Sequence, residues 1–572
     1  MTITAVSSSL LPVPFAARNT QKNELPPSVA KTRQYVQQFW PRLTRGLADL
    51  PQGLEDEKLA LTPNSPRVLY IPQTESKQRV EALLARSLPA AQRQRIEVRT
   101  LPDNPRTITE HGMLFLPHRY AVPGDGRYNE MYGWDSYFIQ LGLLRDGQTA
   151  LAKDMTDNML YQVQHYGKLL NANRSYYLER SQIPFLSDMV KNTYQALGAG
   201  GKSWLKQAVP IVEKEYTYWT TGPHLIPKLG LSRYYAYGEG PAPEVEQGEI
   251  DASGLNHYQR IEKHFATHTV ADYNQGDYYR NGKLTPLFYK ADRSMRESGF
   301  DPSNRFGPFN ADILNYAPVC LNSVLYRTER NLADMYRELG QPQKAQAWQQ
   351  KAEQRQQRMQ QYLWDDKTGL FLDYNTQTGQ RRNYPFATTF FPLWAGVATP
   401  QQARRVQQNL PQFEAPGGVR TSLHVSGNQW DAPFGWAPLQ LVAIDGLKNY
   451  GFAQDGQRLA QKYTTMIAQE FERTGALYEK YNVETSSSDL KGSLKFGYPT
   501  NEKGFGWTNG VFQELASGLN SPNAGSALKP ATPKPAVGLP LHFGSQQQEV
   551  LLPKGPQPTT APQGPARLTL VG

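Results

Sequence analysis

Two stretches far apart in the chain gather side chains suited to a polyhydroxylated ligand. Pro123-Gly-Asp-Gly-Arg-Tyr-Asn-Glu-Met-Tyr-Gly-Trp-Asp135 and Gln429-Trp-Asp-Ala-Pro-Phe-Gly-Trp-Ala-Pro438 each combine carboxylates, indoles, glycines and prolines more densely than a helical core needs. Carboxylates fix hydroxyls by charge-assisted hydrogen bonds, and indole faces cover the apolar faces of a pyranose ring. The chemistry these residue types favour is carbohydrate processing by paired acids.

In the first stretch Arg127, Glu130, Trp134 and Asp135 are too crowded for a core, and Pro123, Gly124 and Gly126 hold the entry as a turn. A helix cap with a surface ion pair would use the same residues. Asn171 to Pro184 supplies Asn171, Arg180 and Gln182, whose paired donors suit vicinal hydroxyls, although an ordinary loop between helices has this composition too. Asp301 stands between Phe300 and Pro302, where partial desolvation would keep a carboxyl protonated near neutral pH; an Asp closing a turn is the plainer alternative. Glu479, in Tyr478-Glu-Lys-Tyr481, can orient a water as a general base or be a surface charge. Gly504 to Gly510 adds Trp507 as a further aromatic wall.

Other chemistries lack their residues. The nine His form no His-Glu-x-x-His motif, since the one pair four residues apart, His264 and His268, encloses no acid; the single Cys320 precludes a cysteine metal cluster and an internal disulfide, and its apolar neighbours Val319 and Leu321 mark it as a buried thiol. No serine elbow occurs, and the run Gly198-Ala-Gly-Gly-Lys-Ser203 has Ala196 where a phosphate-cradling loop has its first glycine, so neither a cofactor nor a metal is expected. The net charge of +10 is spread without a long basic run, which argues for solubility and against nucleic acid. No apolar run reaches the length of a membrane span, and Met1 to Asn19 has no basic residue ahead of its short apolar patch. The expectation is a cytoplasmic monomer whose partner is a small disaccharide.

Helical patterns dominate the elements that must position these residues. Leu325, Leu332, Met335, Tyr336 and Leu339 form one stripe, Gly340 to Pro342 stops it, and Ala345, Trp348, Ala352, Met359 and Leu363 resume it: a helical hairpin. Similar stripes run over 138–144, 151–166, 439–447 and 459–471, with a further helix near 28–50. Long polar loops at 171–185, 220–250, 291–310 and 417–438 carry the candidate chemistry. Helical hairpins with elaborate loops at one end suggest a ring around a pocket; periodicity alone leaves a solenoid or an irregular bundle open. The expected division is a flexible arm over 1–27, a helical body over 28–519, and a Pro/Gly/Gln-rich tail over 520–572, disordered or loosely docked.

The two stretches, with Asn171 to Pro184, Ser298 to Asp301, Glu479 to Tyr481 and Gly504 to Gly510, resemble the alpha,alpha-trehalases of the helical-barrel glycoside hydrolase type over about residues 30–519. The resemblance implies an all-α, (α/α)6 toroid of six inner and six outer helices with functional loops at one mouth, and inverting hydrolysis of trehalose to two glucoses. It makes Asp301 the general acid and Glu479 the general base. Arg127, Trp134, Asp135, Asn171, Arg180 and Gln182 would bind the inner glucose, with Tyr128 in place of a family phenylalanine. Trp430 and Asp431 would form the sugar wall, and Glu244 would reach the neighbouring region. A related glycosidase with a shifted disaccharide preference, or a nonhydrolytic sugar-binding protein, would share these motifs.

The chain departs from the family at four places. Ala242 stands where an arginine is usual and Gly497 where a glutamate is usual; Phe300 replaces a tryptophan and Cys320 an aspartate. Losing an Arg and a Glu together can preserve local charge balance if the two positions are close. Arg233, Arg293, Glu484 and Glu502 are the candidates to fill the gaps.

Overall fold

Many long helices packed on one another make up the body of the computed structural model, which describes residues 25–519 apart from 60, 247–249, 251–252, 491, 493 and 498–499. Of the expected arm, residues 1–24 lie outside the described residues, as does all of the expected tail over 520–572.

The helices fall into two kinds, and their sequences show why. Val319–Glu338 buries fifteen of its twenty residues, whereas Pro342–Tyr362, packed against it across a short turn, buries five of twenty-one: Ala345, Trp348, Ala352, Arg355 and Met359. The second set is a single stripe at helical spacing with Gln, Lys and Arg around it, so that helix has one wet face. The first keeps a narrow polar edge of Arg327, Arg330, Asp334 and Arg337, and lies largely inside. Gly133–Arg145, Ala437–Asn449 and Gly506–Leu519 are likewise buried nearly all round, while Thr149–His165 and Ala453–Thr474 keep a polar side. The hairpin read from the sequence is present, and each of the other four stripes falls on one of these helices, the stripe over 151–166 running one residue past His165 to the capping Tyr166. The helix expected near 28–50 is Pro27–Leu43, and the loop expected over 291–310 begins only after the helix Pro286–Ser298.

A small α/β lobe near the amino end corrects the purely helical expectation. Arg67–Ile71 pairs in parallel with Ile96–Thr100 on one side and Met113–Leu114 on the other, and the helix Lys77–Ser87 crosses between the first two strands. Leu69, Ile71, Val80, Leu84 and Val98 form its own apolar core. All five residues of Arg67–Ile71 are buried, so the strand shows no alternation, and the four-residue apolar run Val68 to Ile71 reads equally as helix. This lobe also delivers Lys58 to the pocket described below.

Two buried helices meet unusually closely. A Cβ added to Gly510 would sit 2.1 Å from the carbonyl oxygen of Phe138, and one on Gly142 would sit 2.5 Å from the Cα of Gly510. Only glycine at both positions lets Gly133–Arg145 and Gly506–Leu519 come backbone to backbone. Their amino ends carry Trp134 and Asp135 on one helix and Trp507 on the other, so this approach sets the spacing of one wall of the site.

Candidate active site

Twenty-six residues line a cavity of about 180 Å³, and they come from nearly every motif the sequence singled out. Arg127, Tyr128, Trp134, Asp135, Asn171, Arg180, Gln182, Glu244, Asp301, Trp430 and Glu479 are all among them, as is Trp507. Residues from position 127 to position 507 are thus brought to one hole.

Its floor and walls are aromatic. Trp430 stacks on Trp436 with ring centroids 3.9 Å apart, and Trp134 lies 5.8 Å from Trp430 and 5.7 Å from Trp507. Phe300 wedges edge-on between Trp134 and Trp430, so an aromatic ring fills the position even without the usual indole. Gln429 and Trp430 are tied to the acid segment: the Gln429 amide donates to the carbonyl of Asp301, and the Trp430 N–H donates to that of Pro302 at 3.1 Å.

Trp134 and Asp135 occupy the first turn of their helix, where backbone N–H groups lack partners within the helix. The side-chain oxygen of Gln182 accepts the Trp134 N–H at 2.8 Å, which leaves Gln182 fixed at the pocket edge. A helix amino terminus favours an anion at Asp135, but burial outweighs it: the carboxyl is pushed well above the usual range by desolvation, with the charges of Glu479 and Asp301 adding to the rise. Asp135 therefore feels both candidate catalytic carboxylates.

Asp301 follows the helix Pro286–Ser298, which ends at Gly299 in the left-handed region with φ +77°. A Cβ on Gly299 would lie 3.0 Å from the Trp134 indole, so glycine is required there twice, by backbone conformation and by the wall. Desolvation raises the Asp301 carboxyl to about 6, against the opposing pull of Arg296 and Arg180. Glu479 also lines the cavity, just ahead of the strand Lys480–Asn482, whose pairing with Phe434–Trp436 sets Lys480 opposite Trp436. Its backbone donates to Glu502 at 3.0 Å and accepts from the Trp507 indole at 3.0 Å, and its carboxylate takes the buried Lys480 ammonium at 2.9 Å.

The side chains expected to bind sugar are held by their neighbours. Arg180 and Glu244 meet at 2.6 Å, both almost fully buried, and Arg180 also lies 4.7 Å over the Tyr177 ring. Asn171 donates to the carbonyl of Arg296 at 3.3 Å, and Tyr128 packs edge-on against Phe505 and Tyr132. His257, also in the lining, is pushed down to about 3 by burial and by Arg296, and is neutral at physiological pH.

Two expectations shift. Asp431 does not join the lining: its oxygens accept from Tyr384, Ser422, Ser426 and the Asn304 backbone at 2.6–3.0 Å, so it braces the loop that presents Trp430. Glu130 turns away into a buried cluster with Asp56, Lys58 and Arg174. Missed by sequence reasoning were Lys58, Arg296, His257 and Arg260, which line the cavity from segments without a dense motif; a lone basic residue in a helical stripe carries no signal of its own.

The departures resolve unevenly. Arg233 is occupied by the carbonyls of Pro223 and Leu314, Arg293 by those of Gly240 and Pro241, and Glu484 pairs with Arg420. Glu502, whose carboxyl is raised by burial and then by Glu479, lies close enough to Arg127 to be drawn down by it. Cys320 is fully buried, 3.4 Å from Arg305, and Asp373 supplies that arginine with a carboxylate through two 2.6 Å bonds.

A largely helical body that opens one aromatic-walled, carboxylate-rich pocket defines a protein of the glycoside hydrolase kind. The chain belongs to the trehalase family, whose model matches residues 20–520. It is 38% identical over 433 residues to a cytosolic neutral trehalase of Saccharomyces cerevisiae, a match covering 69% of this chain and 56% of the relative. A cytosolic neutral trehalase of Neurospora crassa is 37% identical over 432 residues, covering 69% and 57%. The solved structure of neutral trehalase Nth1 from Saccharomyces cerevisiae superposes with a TM-score of 0.72 at 33% identity, over 86% of this chain and 94% of that one. The chain thus spans a little over half the length of these curated relatives.

Proposed function

We propose that the protein hydrolyses alpha,alpha-trehalose to two glucose molecules with inversion, Asp301 acting as general acid and Glu479 as general base. The observation that carries this reading is that both carboxylates open on one indole-walled cavity, with Asp301 held protonated up to about pH 6. Protonated Asp301 gives its proton to the bridging oxygen while Glu479 takes one from a water attacking the opposite face of the sugar. Such a pair needs about 6.5–9.5 Å between carboxyl groups to admit that water. Trp134, Asp135, Asn171, Arg180 and Gln182 would hold the inner glucose, Arg127 and Tyr128 would flank it, and Trp430 would face its ring, with Asp431 bracing that wall and Glu244 fixing Arg180.

The helical body is read as six inner and six outer helices, supported by the alternation of all-round-buried helices with half-exposed ones. Among the described residues no helix is long and apolar enough to cross a membrane; the relatives named cytosolic support a cytoplasmic location, and the chain is read as a monomer. A shifted disaccharide preference is the second reading, favoured by Ala242 and Gly497. Glucose release from trehalose, measured beside maltose, sucrose and kojibiose, decides between them, and the anomer first released reports inversion or retention. Cleavage of another disaccharide in preference to trehalose would overturn the substrate, and a retained configuration would overturn the water attack.

A further inference from the structure

The guanidinium of Arg296 lines the cavity in a place to which the reaction above gives no role. Its Nε and Nη2 donate to the two oxygens of Asp292 at 3.0 and 3.1 Å, and its Nη1 reaches Oδ2 of Asp301 at 3.3 Å. Asp292 also accepts the Tyr258 hydroxyl at 2.8 Å, and that hydroxyl in turn accepts the backbone N–H of Ala242 at 3.0 Å. A planar fork clamped by both oxygens of a buried carboxylate cannot swing, so its third contact, onto Asp301, is set by the fold. This run of bonds begins at Ala242, where an arginine is absent, and ends on a different guanidinium inside the pocket.

We propose that Arg296 is a positioning residue for proton donation by Asp301, holding Oδ2 so that the proton resides on Oδ1, and stabilising the carboxylate formed when that proton leaves. The inference rests on Asp301 being the acid. In the step, the O–H bond of Asp301 breaks and an O–H bond forms on the bridging oxygen. The water oxygen forms a new C–O bond to the anomeric carbon of the attacked glucose as the old C–O bond breaks with its electron pair going to the bridging oxygen, and Glu479 receives one proton of that water. Negative charge appears on Asp301, beside a cation already in place.

The two effects of Arg296 on Asp301 have opposite signs. Before the reaction it opposes protonation, but burial dominates, and the carboxyl stays high although Arg296 and Arg180 draw it down while Asp292 pushes it up. Asp135 faces the same carboxylate, and His257 beside Arg296 is neutral. During proton transfer the same fixed cation stabilises developing charge without reorganising, which is where preorganised electrostatics contributes most.

The test compares trehalose with alpha-glucosyl fluoride, whose fluoride leaves without being protonated. Arg296→Gln is expected to lose about 100-fold in kcat on trehalose and to keep most of its rate on the fluoride. Its KM should be little changed, and the basic limb of kcat/KM should rise by about one pH unit. Arg296→Lys keeps the cation opposite Asp292 and so guards against a misfolded Gln variant; it should recover part of the trehalose rate and leave the limb near its parent position. Equal losses on both substrates, an unmoved limb in the Gln variant, or a trehalose-to-fluoride rate ratio in the Lys variant no better than in the Gln variant overturns the role of Arg296. Trehalose turnover surviving in Asp301→Asn overturns the acid assignment itself, a separate failure.

Discussion

Arg180 and Glu244 form an ion pair at 2.6 Å between side chains that are about 4% and 6% exposed, and it leaves Arg180 Nε and Nη1 and Glu244 Oε2 buried without a hydrogen-bond partner. Buried donors and acceptors are normally satisfied, so unmet groups lining a cavity mark what a bound ligand would complete. Glu244→Ala would strand a buried guanidinium and is expected to cost about 3–5 kcal/mol of stability. The double variant Arg180→Met/Glu244→Leu should recover most of that stability, because an apolar pair of similar volume carries no desolvation penalty, yet it should not recover trehalose cleavage. Denaturant midpoints and glucose release on the single and double variants separate the two roles. Restored activity in the double variant would remove the pair from the binding site.

As the proposed general acid, Asp301 would link catalysis to pH in a definite direction. Its carboxyl is raised from 3.8 to about 6, chiefly by burial. Below pH 3.8 both folded and unfolded chains hold this proton; between 3.8 and about 6 the folded chain holds it and the unfolded chain releases it. Stability therefore falls as pH rises through that window, by about 3 kcal/mol at most. Asp301→Asn removes the penalty, so the inactive variant should melt higher than the parent at pH 7, and the difference should vanish towards pH 4. The parent's kcat/KM should decline above about pH 6 as the acid ionises. Thermal melts and a pH profile check both.

The chain announced its pocket more clearly than its packing. Dense motifs such as Trp134-Asp135 and Gln429-Trp430 are legible because cores do not need acids beside indoles. The hairpin around Gly340 is legible because stripe, stop and stripe follow one another. Arg67–Ile71 is not, since a short strand buried on both faces loses its alternation. Arg296 is not, since it lies at ordinary helical spacing from Asp292, and the pair reads as one more ion pair on a helix. Asp431 shows the converse: it stands inside a motif, yet its carboxylate is taken up by Ser422 and Ser426 of its own loop and by Tyr384 and the Asn304 backbone beside it, and its neighbour Trp430 faces the cavity.

The backbone contact between Gly133–Arg145 and Gly506–Leu519 is expected to be intolerant of a single methyl. Gly510→Ala places carbon 2.1 Å from the Phe138 carbonyl oxygen, an atom that cannot rotate away. Separating the helices should cost at least the roughly 1–3 kcal/mol usual for overpacking. Because Trp134, Asp135 and Trp507 ride on these helices, kcat should fall even where the variant remains folded. Gly518→Ala is the control, since its Cβ would approach nothing nearer than the Lys448 Nζ at 3.9 Å. Replacing a helical glycine there should gain up to about 1 kcal/mol. Equal denaturation midpoints for the two variants would contradict the close approach.

Restoring the usual glutamate at position 497 should harm the enzyme rather than improve it. Gly497 has φ +122°, a conformation that a side chain resists, and a Cβ there would lie 2.7 Å from the side-chain oxygen of Gln429. Gln429 cannot move freely, because its amide nitrogen donates to the Asp301 carbonyl and its backbone carbonyl accepts the Trp436 indole at 2.9 Å. Gly497→Glu must therefore strain its own backbone, displace Gln429 and loosen the segment that carries the acid. Glu502 already supplies a carboxylate in the electrostatic reach of Glu479 and Arg127, so the added charge answers no deficit. The expected outcome is a kcat on trehalose lowered about tenfold or more, equivalent to about 1.4 kcal/mol or more in the barrier. Gly497→Ala should share the strain and much of the loss. A Gly497→Glu variant faster than the parent would mean that the pocket lacks the carboxylate Glu502 is held to provide.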